Sequence, residues 1–151
     1  MGMIPMLLDP KASLCDINAP HIICEEHNKK YIAHNPNRKF NVRKYQLDGN
    51  LIKNKTCCDY LVLDDSNTKA YYVELKGQDI QKALEQLEAA EVICRAELGK
   101  SYTSMFGIVA GKVRSQELKT ARYRKIERRM GKSGLRCESN VLEETLMSAN
   151  S

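Results

Sequence analysis

The sequence predicts a mixed α/β domain with one central sheet flanked by helices, and three stretches predict it. CDYLVLD (58–64) and KAYYVEL (69–75) are rich in aliphatic and aromatic residues and are separated by the polar cluster DSNT, the pattern of strand, turn and strand. DIQKALEQLEAAEVICRAEL (79–98) follows, with Ile80, Leu84, Leu87, Ala90, Cys94 and Leu98 at helical spacing and Gly99 as its stop. SYTSMFGIVAG then reads as a buried strand, SQELKTARYRKIERRM as a basic helix ended by Gly131, and GLRCES as a short last strand. Strands alternating with helices around one sheet define the α/β class.

The remaining elements are read from weaker signals. Residues 1–21 carry three prolines and little periodicity, which predicts an irregular lead-in wrapped over the core. IICEEHNKKYI (22–32) has weak helical spacing. KFNVRKYQL alternates and ends at Asp48-Gly49-Asn50, a turn signal predicted to return the chain through LIKN as a hairpin. VLEETLMSANS is expected to hold one helical turn. A chain of 151 residues supports one core, and no repeat or linker divides it. The domain itself is accordingly placed at 22–138, after the lead-in at 1–21 and before a tail at 139–151.

Composition narrows the partners. Hydrophobic residues at 42% and charged residues at 28% are near globular averages and exclude wholesale disorder. MGMIPMLLDP lacks a basic leader and is broken by Pro5, Asp9 and Pro10, and no run approaches the ~20 apolar residues needed to span a bilayer. A cytoplasmic protein without membrane association is the expectation. The six cysteines are scattered without a CxxC pair and are read as reduced packing residues. His21, His27 and His34 are read as surface or capping residues. Net charge is +5, and between Lys112 and Arg136 ten basic residues face only Glu117 and Glu127. That excess suits a polyanion, with nucleic acid the natural candidate.

The chemistry is carried by the end of the second strand. Side chains alternate along a strand, so Glu74 and Lys76 share a face with Tyr72. If the hairpin closes through Ser66-Asn67 or through a four-residue loop from Asp65 to Thr68, paired residue numbers sum to 133 and Asp59 faces Glu74. Opposed strand positions hold Cβ atoms about 4.5–5.5 Å apart, and like charges there are destabilising. Two such carboxylates call for a cation. Mg2+, or Mn2+ in its place, fits because it takes a few carboxylate oxygens, keeps waters and binds substrate phosphate with its other positions.

Asp59, fourteen intervening residues, then Glu74-Leu75-Lys76 resembles the core motif of the PD-(D/E)XK nuclease superfamily, the restriction-endonuclease-like fold. The resemblance runs from the region of Phe40 through the basic helix. It implies a mixed sheet flanked by helices, a divalent metal held by Asp59, Glu74 and the Leu75 carbonyl, and a Lys76 that positions the attacking water and meets developing phosphate charge. It also implies a helix-borne glutamine near the metal, Gln86 in preference to Gln81, and an acidic residue donated by an early helix, which would be Glu25 or Glu26. The activity implied is metal-assisted hydrolysis of a phosphodiester. Cys58 stands where the motif often has proline. No tyrosine follows Gln86 four positions later, and the cysteines do not match the iron–sulfur branch.

Candidate phosphate contacts are Arg122, Lys125 and Arg129 along one side of the basic helix, Lys112 and Arg114 before it, and Arg43 and Lys44 near the first predicted hairpin. DNA is the expected substrate and RNA the other polyanion that fits. The short chain leaves little room for a sequence-reading domain, so structure- or end-directed cutting, as a homodimer or within a larger nuclease complex, is expected. Two other classes accommodate the same residues: a non-catalytic nucleic-acid-binding module on the same fold, and a protein-interaction subunit whose Glu74 and Lys76 form only an ion pair.

Overall fold

The computed structural model of the chain describes residues 6–77 and 79–148, with Lys76 and Gly77 described by their backbone alone. The parts of the predicted lead-in at 1–5 and of the predicted tail at 149–151 lie outside the described residues. Among the described residues eight strands and two α-helices form in the order β1 (His21–Glu26), β2 (Lys29–His34), β3 (Val42–Gln46), β4 (Tyr60–Asp64), β5 (Lys69–Gly77), α1 (Ile80–Leu98), β6 (Thr103–Ala110), α2 (Ala121–Met130), β7 (Leu135–Ser139) and β8 (Val141–Thr145). A five-stranded sheet has the order β3-β4-β5-β6-β7, and a three-stranded sheet the order β1-β2-β8. The β3-β4-β5 segment is antiparallel, whereas β5, β6 and β7 run parallel, with α1 crossing between β5 and β6 and α2 preceding β7.

Alternation along the central strands makes three layers. Leu61, Leu63, Ala70, Tyr72, Phe106 and Ile108 pack with α1 and α2 through Leu84, Leu87, Tyr123 and Ile126. The opposite side, carrying Val62, Tyr71, Val73, Leu75 and Val109, packs on Ile22, Cys24, Tyr31, Ala33 and Leu142 of the smaller sheet. The central strands are therefore apolar on both faces, as strands covered on two sides must be. Gly107 lies in close contact with the smaller sheet: a Cβ there would lie 3.0 Å from Leu142 Cδ2 and 3.4 Å from Tyr31 Cε2.

The long helix has the ends its sequence predicts. Asp79 caps it by accepting from the Lys82 amide, and Gly99, at φ +83°, donates its N–H to the Arg95 carbonyl. The basic segment divides into a 3-10 turn at Ser115–Lys119 and α2, which Thr120 caps by accepting from the Tyr123 amide. The lead-in does cross the core: Leu8 is fully buried, and its carbonyl accepts from Tyr45 Oη at 3.1 Å and from Arg43 at 3.0 Å.

Three local expectations are corrected. The stretch 22–32 is not helical but forms the β1-β2 hairpin, turned by His27 and Asn28 with φ of 48° and 66°, as a type I′ turn requires. LIKN does not return along β3. Residues 47–52 close a tight loop, in which the Gly49 amide donates to the Ile52 carbonyl, and β3 pairs with β4 instead. The segment after Ser139 is strand β8 rather than a helical turn, paired parallel to β2 in register Tyr31 with Leu142. Among the described residues all six cysteines are free, and no helix is long and apolar enough to cross a membrane.

Candidate functional site

The β4-β5 register is the one that aligns the acids. Tyr60 pairs with Val73 and Asp64 with Lys69, so paired numbers sum to 133, and the connection is the four-residue loop 65–68. Asp64 shapes that loop by accepting from the Asn67 amide at 3.0 Å and from Asn67 Nδ2 at 2.7 Å. At the other end of the hairpin the ladder passes into side-chain hydrogen bonds. The Asp59 amide donates to Glu74 Oε1 at 3.2 Å, and the Leu75 amide donates to Asp59 Oδ2 at 2.8 Å. On its other flank Asp59 is fixed by the Leu47 amide, which donates to the Asp59 carbonyl at 2.8 Å and extends the β3-β4 pairing. Asp59 is 3% exposed and Glu74 1%.

Two carboxylates are thus held at the open end of a hairpin in an apolar setting, where their field acts with little screening. Cys58 registers it: burial pushes its thiol well above the usual range, and the Glu74 carboxylate adds to the push. On the opposite side Cys24 is pushed up to about 12, by burial first, with Lys44 opposing and Asp59 and Glu26 reinforcing. Burial likewise raises the Tyr60 hydroxyl, helped by Glu26, Cys24 and Asp59. Glu26 therefore borders the same end of the sheet as Asp59. It lies on the side of β1 that carries Ile22 and Cys24, whereas Glu25 is exposed, so of the two glutamates Glu26 is the one turned inward, and it does so from a strand and not from an early helix.

Leu75 is fully buried, and its amide is held at the acid pair. The Lys76 side chain lies outside the described residues; its backbone follows Leu75 in β5. Gln86 is half-buried on α1, three and four positions from the buried Ala83 and Ala90, at the border of the surface that packs over β5. Gln81 is engaged elsewhere, donating to Thr120 Oγ1 at 2.9 Å and tying α1 to the start of α2. Among the described residues no group of three or more His, Cys, Asp or Glu side chains is arranged to hold a metal ion. The site offers two side-chain carboxylates, a set that suits an ion whose other positions are filled by backbone oxygen and water.

The predicted phosphate contacts are not equivalent. Arg43 is turned inward: Nε and Nη2 grip Asp65 at 2.7 and 2.8 Å, Nη1 reaches the Leu8 carbonyl, and its side chain is only 16% exposed. Lys44 donates to the Ile23 carbonyl and lies 5.3 Å from the centre of the Tyr60 ring, joining the two sheets. Arg122 pairs with Glu88 at 2.8 Å and Arg129 with Glu91 at 3.0 Å, so both clamp α2 onto α1. Lys125 lies between them, exposed, in a depression of about 220 Å³ lined by these residues and Ile126. Lys112 and Arg114 are exposed beside Gly111 and Glu117 around a second depression of about 390 Å³. Arg124 and Arg128 are exposed on α2 as well.

Sequence reasoning missed Glu91, a buried acid with 6% exposure that receives both Arg129 and Arg95. Its place one residue after Ala90 of the apolar stripe was the available signal. No protein-family model matches the chain, and neither a curated protein nor a solved structure matches it.

Proposed function

We propose that the chain is a divalent-metal-dependent nuclease of restriction-endonuclease-like fold that hydrolyses DNA phosphodiester bonds. The observation that carries this reading is the convergence of Asp59 and Glu74, both nearly inaccessible to solvent and each accepting from the backbone next to the other. Buried like charges brought together in this way call for positive charge, which a divalent cation held by both residues would supply. The strand, strand, helix, strand order of β4, β5, α1 and β6 supports it further.

The donor set fits Mg2+ or Mn2+, being all oxygen and leaving positions for water and phosphate. Asp59, Glu74 and the Leu75 carbonyl would hold the ion, which when bound supplies Lewis acidity towards the scissile phosphate. The chain's own contribution is geometric and electrostatic. The two backbone hydrogen bonds fix both carboxylates before substrate arrives, so no reorganisation is needed at the moment of reaction. Lys76, two residues beyond Glu74, orients the attacking water and places an ammonium against the charge that grows on the phosphoryl oxygens. Water oxygen bonds to phosphorus as the ester P–O bond breaks, and the leaving oxygen takes up a proton. Gln86 positions water or phosphate from the helix side.

Substrate is held through its backbone by Lys125, Arg124 and Arg128 on α2 and by Lys112 and Arg114, so cutting is directed by structure or ends. Arg43, Arg122 and Arg129 hold the fold together around that surface.

The test is incubation of the purified protein with branched, duplex and single-stranded DNA and with RNA, in Mg2+, Mn2+ or chelator. Cleavage that requires the metal and is lost in Asp59→Ala, Glu74→Ala and Lys76→Ala is expected. Salt-sensitive binding without cleavage would replace the proposal with a non-catalytic binding module, and undiminished cleavage by the variants would remove these residues from the reaction.

A further inference from the structure

The β1-β2 register places His21 directly opposite His34 on the outer face of the three-stranded sheet, away from the acid pair. Their Nδ1 atoms lie 3.1 Å apart, with the ring planes nearly perpendicular at 87°. The far nitrogen of His34, Nε2, lies 2.9 Å from Glu143 Oε1 on β8. An ionised carboxylate only accepts, so the tautomer that suits this contact carries its proton on Nε2 and leaves the Nδ1 lone pair towards His21. His21 aims the same kind of atom back. The two imidazole nitrogens are within hydrogen-bond distance and share a proton, which a metal cation bound by both would displace to solvent.

We infer that His21 and His34 form a bis-imidazole site for a borderline divalent transition-metal ion of the Zn2+ class, with Glu143 orienting His34 from behind. The spacing supports this. Nitrogens bound at about 2.0–2.1 Å to a tetrahedral Zn2+ lie about 3.3 Å apart, a few tenths of an ångström from the separation seen. The arrangement of carboxylate, histidine and ligand nitrogen is the one that fixes tautomer and ring direction at zinc centres. Imidazole selects Zn2+, Ni2+ or Cu2+ over the hard Mg2+ that suits Asp59 and Glu74. Access is open: His21 is exposed, and the side chains of His34 and Glu143 are 33% and 58% exposed, so water fills the remaining coordination positions. The two strands are tied by the hairpin and β2 is tied to β8, which holds the three residues in place without the metal.

The site is independent of the nuclease reading, and its test is kept separate. Metal-free protein is titrated with Zn2+ by calorimetry while the imidazole nitrogens are followed by NMR. Binding that moves the ring resonances of His21 and His34, and not those of His27, is expected. His21→Ala and His34→Ala should each weaken it at least about tenfold, and Glu143→Gln about tenfold. Asp59→Ala and Glu74→Ala should leave the Zn2+-induced shifts of the His21 and His34 resonances as they are in wild type. His21 is exposed, so unchanged circular dichroism of His21→Ala separates loss of a ligand from loss of fold. Zn2+ that leaves both resonances unmoved, or that binds His21→Ala and His34→Ala as tightly as wild type, would overturn the assignment and transfer any binding to the cysteines.

Discussion

Asp59→Asn should make the metal-free protein more stable while abolishing its response to metal. Asparagine keeps an acceptor oxygen for the Leu75 amide, which donates to Asp59 Oδ2 at 2.8 Å, so the change removes the charge and keeps that hydrogen bond. Opposed strand positions about 5 Å apart, at an effective dielectric near 20, give roughly 3 kcal/mol of repulsion between two carboxylates. Counter-charge and residual solvent screening reduce that to about 1–2 kcal/mol of net stabilisation in chelator. For a domain of this size the melting temperature should rise by about 2–8 °C. Wild type behaves the opposite way on adding metal: Mg2+ at a hundred times its dissociation constant contributes about 2.7 kcal/mol, and Asp59→Asn should lose that gain. Thermal melts of both proteins in chelator and in Mg2+ provide the four values needed. An Asp59→Asn protein less stable than wild type in chelator, together with a wild-type melt indifferent to Mg2+, would refute the reasoning.

The two kinds of cation on α2 should separate in mutation. Lys125→Ala should leave stability within about 0.5 kcal/mol and lower the salt dependence of DNA binding by about one charge, whereas Arg129→Ala should cost about 1–2 kcal/mol in urea denaturation because Glu91, 6% exposed, loses a partner. Glu144 predicts a pH dependence: burial raises its carboxyl from 4.5 to about 6, so the folded chain binds the proton more tightly than the unfolded one. Its contribution to stability is full below about pH 4.5 and is lost as pH rises through 6, by about 2 kcal/mol at pH 7; Glu144→Gln should flatten that fall, and parallel urea profiles for the two proteins would contradict it. Gly107→Ala should destabilise by about 1–3 kcal/mol, since the added methyl meets Leu142 Cδ2 at 3.0 Å, and an unchanged melt would show that the two sheets separate easily there.

The parts of the fold legible in the sequence were those set by neighbours along the chain. The β4-β5 register followed from loop parity, and the limits of α1 from Asp79 and Gly99, because turns and caps are local devices. What escaped was set across distance. Val42 finds Asp64 as its partner rather than the LIKN segment, and Tyr31 finds Leu142, more than a hundred residues away, pairings that no local periodicity announces. The β1-β2 hairpin was hidden because His27-Asn28 replaces the usual glycine-containing pair while both residues still accept positive φ. Once that segment is a strand, alternation alone sends Glu26 inward and Glu25 outward, and it brings His21 against His34. The acid pair was legible for the opposite reason, lying in the one hairpin whose loop length could be counted. The structural pairings of Arg43, Arg122 and Arg129 were not, because their acidic partners come from other elements.

The central claim is that Asp59 and Glu74 jointly hold one hard divalent cation. Anomalous diffraction from crystals soaked in Mn2+ tests it without reference to any substrate. A single peak within about 2.5 Å of carboxylate oxygens of both residues and of the Leu75 carbonyl is the predicted result. A Mn2+-saturated crystal with no peak between the two acids, or with its peaks confined to other surfaces, would contradict it.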